Sequence, residues 1–156
     1  MKTTKIKSAR ISLYVKEVVK KNINKNISIY SITNSWDPEM VTWMVRSKEP
    51  WLVPGGDLGN AITNLSFTNL VAGSWVTFEI PANIVQAWIS KSETNNGIIL
   101  KPEVDAPGQG DNCNKAVFAS SKDTNVSLRP KLILNYTGGR VPFPKSKGEK
   151  TPAGHK

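Results

Sequence analysis

The chain of 156 residues is 38% hydrophobic and carries a formal net charge of +9, a length that suits one domain and a composition too apolar for a disordered polymer. Its longest apolar runs fall far short of the roughly 20 residues that span a bilayer as a helix, so no membrane partner is expected. A single cysteine, Cys113, excludes an intrachain disulfide framework or a cysteine-built zinc site and leaves the role of a buried small hydrophobe.

The charge gathers at the two ends. Lys2, Lys5, Lys7, Arg10, Lys16, Lys20, Lys21 and Lys25 stand against Glu17 in residues 1–26, and Arg140, Lys145, Lys147, Lys150 and Lys156 stand against Glu149 in 140–156. The stretch between them has eight basic and ten acidic residues. No helix-turn-helix, zinc-ligand pair or aromatic-rich single-strand motif accompanies the basic residues, so nucleic acid is not an expected partner. Met1 to Ser12 hold four positive charges and no apolar signal core, so export is expected to depend on something upstream.

In chain order, Ala9, Ile11, Leu13 and Val15 alternate with Arg10, Ser12, Tyr14 and Lys16, the period of two of a half-buried strand. The pattern resumes at Ile27, Ile29, Tyr30 and Ile32 after the polar stretch Lys20–Asn26, which predicts a hairpin over 9–33. A short strand is expected at Val41–Val45 after Trp36-Asp37-Pro38. From Lys48 to Asn64 the prolines, glycines and weak periodicity predict a long loop, a place where all-β scaffolds often carry function.

Val76, Phe78 and Ile80 alternate with Trp75, Thr77 and Glu79 as another strand. Pro81 suits the first position of a helix, and Ile84, Val85, Trp88 and Ile89 supply one apolar stripe, predicting a short helix near residues 81–90. Further strands follow at Gly97–Lys101, Ala116–Ala119 and Lys131–Tyr136, with a polar loop from Pro102 to Lys115. About seven short strands divided by turn-rich segments predict an all-β fold, a β-sandwich with jelly-roll character. Residues 1–139 would form the sandwich. Pro142, Pro144, Pro152 and the lysines make 140–156 a basic linker or tail.

The ordered set Ile6-Lys7-Ser8-Ala9-Arg10-Ile11-Ser12-Leu13-Tyr14-Val15, Trp36, Val41-Thr42-Trp43, Trp75 to Ile80 with Val85 and Trp88, Asn96 to Leu100, Phe118-Ala119-Ser120-Ser121 and Arg129 to Tyr136 resembles the DNRLRE, or disaggregatase-related, domain over about residues 6–137. Members of that family are β-sandwich modules of secreted multidomain microbial proteins, some of them carbohydrate-binding modules attached to polysaccharide lyases such as alginate lyases. The resemblance implies non-catalytic binding of an anionic, alginate-like polysaccharide in an extracellular or cell-surface setting, with a fused or associated catalytic domain. Family members usually have early strands before the position of Ile6 that this chain lacks. A sheet opened in this way would leave an unpaired edge.

Enzymatic chemistry finds little support in the residues. The only histidine, His155, lies in the tail, which disfavours a serine or cysteine nucleophile with a histidine base. Glu79, Glu93, Glu103, Asp105 and Asp111 are carboxylates from which a glycosidase pair would have to be drawn, although strand ends and loops account for them more simply. A small polysaccharide lyase or hydrolase domain is therefore the enzymatic alternative, and an adhesion or matrix module the structural one.

For glycan binding, Trp36, Trp43, Trp75 and Trp88 fall at positions of the resembling pattern that suit the core. Trp51 lies outside that pattern in the Pro/Gly loop beside Arg46 and Lys48, which predicts an exposed aromatic next to cations. Arg46, Lys48, Lys91, Lys101, Lys115 and Lys122 are the candidate partners for sugar carboxylates. Arg129, before Pro130, is expected to pair with a carboxylate such as Asp123. No cofactor is required; the loop from Glu103 to Asn112 offers oxygen ligands and glycines that suit calcium, but without the spacing of the twelve-residue helix-loop-helix site.

Overall fold

The computed structural model describes residues 4–21, 24–91, 95–103 and 114–138. The alternation around Ala9 belongs to a strand of 15 residues, β1 (Lys5–Val19), longer than any neighbour it meets. On one edge β4 (Trp75–Ile80) pairs with it from Ala9 to Tyr14. On the other, β7 (Lys131–Thr137) covers Lys5 to Ser12 and β6 (Lys115–Phe118) covers Val15 to Val19. A second sheet has the order β3-β2-β5, formed by Leu58–Ser66, Asn26–Ile32 and Ile98–Pro102. Every pairing is antiparallel, and the two sheets with one short helix make an all-β sandwich.

The core lies between the sheets. Ala9, Leu13 and Val15 of β1 with Val76, Phe78 and Ile80 of β4 meet Ile27, Ile29 and Leu65 of the second sheet. Phe67 and Leu70, in and just after a 3-10 turn capped by the Ser66 side chain, fill the interior. Each such side chain contributes about 1.5 to 3 kcal/mol by leaving water.

The hairpin expected over 9–33 does not form. β1 and β2 lie in different sheets, so their two apolar faces bury each other across the sandwich instead of lying side by side. That stretch has no Asn-Gly or similar dipeptide to close a two-residue hairpin. Val41–Val45 is also not a strand: only Val45 bridges to Pro50. The Thr42 hydroxyl accepts hydrogen bonds from the Met44 and Val45 amides at 3.2 Å each, a local bond that competes with strand pairing.

The expected loop at 48–64 ends early, because β3 begins at Leu58. Its signal is hidden by Gly59, which packs closely on β2: a Cβ there would lie 2.4 Å from Ser31 Oγ, so the Ser31 side chain would have to shift. The helix forms as α1 (Ala82–Ser90), with Pro81 one position earlier than expected, at the N-cap. Val85 is buried, and Ile84, Trp88 and Ile89 pack against the core. Gln86 ties α1 to the start of β1, its side-chain oxygen accepting from the Ile6 amide at 2.9 Å and its nitrogen donating to the Thr4 carbonyl at 3.2 Å.

Among the described residues β1 is the only strand paired with β7. Leu132 and Tyr136 share the inward side with Ile11 and Ile6 across the register, yet both are exposed, while Leu134 between them packs against the core. β7 is thus one outer strand of this sheet, as β4 is on the opposite side of β1. Cys113, the 140–156 tail and the calcium-loop positions after Glu103 lie outside the described residues.

Candidate functional site

Between β2 and β3 the chain from Thr33 to Asp57 forms a loop that buries Asp57 and Trp51 and leaves several large apolar side chains exposed. Asp57 is its anchor. The buried carboxylate accepts hydrogen bonds from Asn34 Nδ2 at 2.7 Å and the Val53 amide at 3.1 Å, and its carbonyl accepts from the Thr33 amide and hydroxyl. Burial works against the charge, but the bonds from Asn34, Val53 and Leu52 and the nearby Arg46 outweigh it and hold the Asp57 carboxyl below the ordinary range. Asp37 adds a second local brace, accepting from the Glu39 amide at 2.9 Å.

Trp51 does not stand in solvent as the sequence predicts; it is only 7% exposed. Its indole nitrogen donates to the Thr42 carbonyl at 3.0 Å and its amide to the Met44 carbonyl at 3.1 Å. A loop this long needs a core of its own, and Trp51 supplies it. Arg46 is likewise part of the framework: it donates to the Ser35 carbonyl at 3.2 Å and forms an ion pair with Glu49. Lys48 is exposed.

With Trp51 turned inward, other side chains are displayed. Trp43, expected in the core, is 64% exposed, and Met44 next to it and Leu52 and Val53 later in the same loop are exposed as well. The benzo end of the Trp43 indole rests on Gly55. Lys101 of β5 places its ammonium 5.9 Å from the Trp43 ring centroid, within the range of a cation–π contact. Trp36 is also partly exposed, held by a bond from its indole nitrogen to the Asn96 carbonyl at 2.8 Å. Of the tryptophans assigned to the core from sequence, only Trp88 packs against it; Trp75 lies on the outward side of β4 and is partly exposed.

The remaining candidate cations do not join this surface as free charges. Lys115 contacts both carboxylate oxygens of Glu17, at 3.0 and 3.1 Å, and Lys122 pairs with Glu39 of the loop at 3.0 Å. Lys91 lies at the C-cap of α1. Arg129 does meet Asp123, but through the main chain: its Nε donates to the Asp123 carbonyl at 3.0 Å while Lys16 takes the carboxylate at 2.8 Å. The bond from Lys16, then that from the Asn125 amide, hold the Asp123 carboxyl below the ordinary range against the effect of burial.

Glu103 is bound to Asn26, whose amide donates to it at 3.0 Å. Among the described residues no three His, Cys, Asp or Glu side chains are grouped to hold a metal ion, and no helix is long and apolar enough to cross a membrane. The chain matches no family model and no curated protein.

Proposed function

We propose that the chain is a non-catalytic binding module for an anionic polysaccharide such as alginate, with Trp43 as the stacking platform and Lys101 and Lys48 as its cations. The observation that carries this reading is the exposed Trp43 indole with the Lys101 ammonium 5.9 Å from its centroid. An indole face covers the apolar face of a pyranose ring, and an adjacent ammonium meets the uronate carboxylate. The loop is braced by Asp57 and Trp51 before any ligand arrives, which lowers the entropy cost of binding. In this reading the module directs a fused or associated polysaccharide-degrading enzyme to its substrate outside the cell.

Met44, Leu52 and Val53 favour a second reading, an adhesion or matrix module, because exposed aliphatic side chains suit a protein surface better than a sugar. Incubation with alginate, pectin and neutral glucans, assayed for retention and for new reducing or unsaturated ends, separates the readings. Retention on alginate without products is the expected result. Products would establish a lyase or hydrolase, and neither retention nor products would leave adhesion.

A further inference from the structure

The outward side of the β4-β1-β7 sheet is polar over most of its length, as a solvated sheet face ordinarily is, but one end of it is aromatic. Register places Tyr14 opposite Trp75, Ser12 between Thr77 and Lys131, and Arg10 between Glu79 and Ile133. The Tyr14 and Trp75 rings meet edge to face, with centroids 5.5 Å apart at 70°. Above the Trp75 ring stands the Lys131 ammonium, 4.2 Å from the centroid. Ser12 and Thr77 bond each other through their hydroxyls at 2.7 Å, leaving a low strip between the aromatic end and the Arg10 end. From Arg10 to Tyr14 the strip spans four residue steps, roughly 13 Å at the rise of an antiparallel strand.

Its charge has one sign to spare. Glu79, opposite Arg10 on this face, is already engaged by it at 3.3 Å. Lys131 has no carboxylate partner among the described residues, and its ammonium rests on an indole instead. A cation so placed is available to an anion that arrives with an apolar ring to lay beside Trp75. We infer that this sheet face is a second site for an acidic polysaccharide segment, with Trp75 and Tyr14 contacting the sugar ring and Lys131 its carboxylate. The inference rests on the reading that the module binds anionic glycan, and it makes the module bivalent toward one polymer.

Two sites on one rigid body convert the second contact with a polymer into an intramolecular event, so polymer affinity exceeds that of either site without new contacts. The test is calorimetric titration of the full chain with short alginate oligosaccharides and with polymeric alginate, using Trp43→Ala, Trp75→Ala, Lys131→Glu and Trp43→Ala combined with Lys131→Glu. Two oligosaccharides per chain are expected. Lys131→Glu should remove one, Trp43→Ala the other, and the combination both, while either single change should weaken polymer binding tenfold or more. Lys131→Glu keeps the test sound if Trp75→Ala fails to fold, because Lys131 is an exposed side chain.

A wild type that binds one oligosaccharide, lost in Trp43→Ala and unchanged in Lys131→Glu, would overturn the second site and leave the proposed function standing. Binding lost in Lys131→Glu but intact in Trp43→Ala would uphold the sheet site and overturn the loop site. A wild type that binds neither oligosaccharide nor polymer would overturn both.

Discussion

Gly55 and Trp43 touch at a point that admits no other residue beneath the indole: a Cβ on Gly55 would lie 2.5 Å from a Trp43 ring carbon, and Gly55 has a φ of 91°. Backbone conformation and ring contact thus require glycine together. Gly55→Ala is expected to push the indole from its seat and to add about 1 to 2 kcal/mol of backbone strain. A modest fall in melting temperature should accompany a larger loss of alginate affinity. Unchanged affinity would show that the seated position of Trp43 is not the one that binds.

Trp43 and Trp51 are expected to respond in opposite ways to truncation. Trp51→Ala removes the buried centre of the loop and should cost about 3 to 5 kcal/mol of stability, seen as a lower urea midpoint. Trp43→Ala should leave that midpoint nearly unchanged and weaken glycan binding by on the order of 1 kcal/mol or more, as exposed hot-spot aromatics do. The reverse pattern in melts paired with binding isotherms would reject the site.

Acid should destabilise the fold through Asp57 and Asp123. Both carboxyls are held below their ordinary values when folded, so in the acid range the unfolded chain binds protons that the folded chain refuses. Their stabilisation is complete above the ordinary carboxyl value of about 3.9 and is lost as pH falls through the lower folded values. Urea midpoints measured from neutral pH down to about pH 2.5 should fall along this limb. Asp57→Asn should be less stable than wild type near neutrality and show a shallower acid limb.

Salt distinguishes charge from stacking. If Lys101, Lys48 and Lys131 meet sugar carboxylates at an exposed surface, alginate affinity should weaken between 0.1 M and 1 M salt, as the screening length shortens from about 10 Å to about 3 Å. Affinity that stays constant over this range would point to neutral sugars held by stacking.

The sequence is most legible where one rule acts alone. Val76, Phe78 and Ile80 alternate and are buried, and the stripe of Ile84, Val85, Trp88 and Ile89 lands on the core. Legibility fails where a distant partner decides. Nothing near Gly59 announces the Ser31 side chain that it accommodates. Nor does anything in 9–33 say that its two strands will face each other across the sandwich. The site shows the same limit: cations around Trp51 identify the loop, but Thr42, whose carbonyl captures the Trp51 indole, decides that Trp43 and not Trp51 is displayed. The run Thr42-Trp43-Met44 before Pro50 and two glycines carries the available signal, but β-branched and aromatic residues favour a strand equally well.

The distribution of partners along β1 has a kinetic consequence. Ile6–Ser12 finds its second edge only in Lys131–Thr137, so nearly the whole chain must be brought together before the first-made strand is fully paired. Contacts of such sequence separation slow folding, toward the millisecond-to-second range of all-β domains. During synthesis from the N-terminus, β1 leaves the ribosome long before β7 exists, and in that interval its apolar side is open to wrong partners. A chain cut before Lys131 would keep β1 in that condition permanently, with the stretch from Ile6 to Ser12 paired along one edge at most.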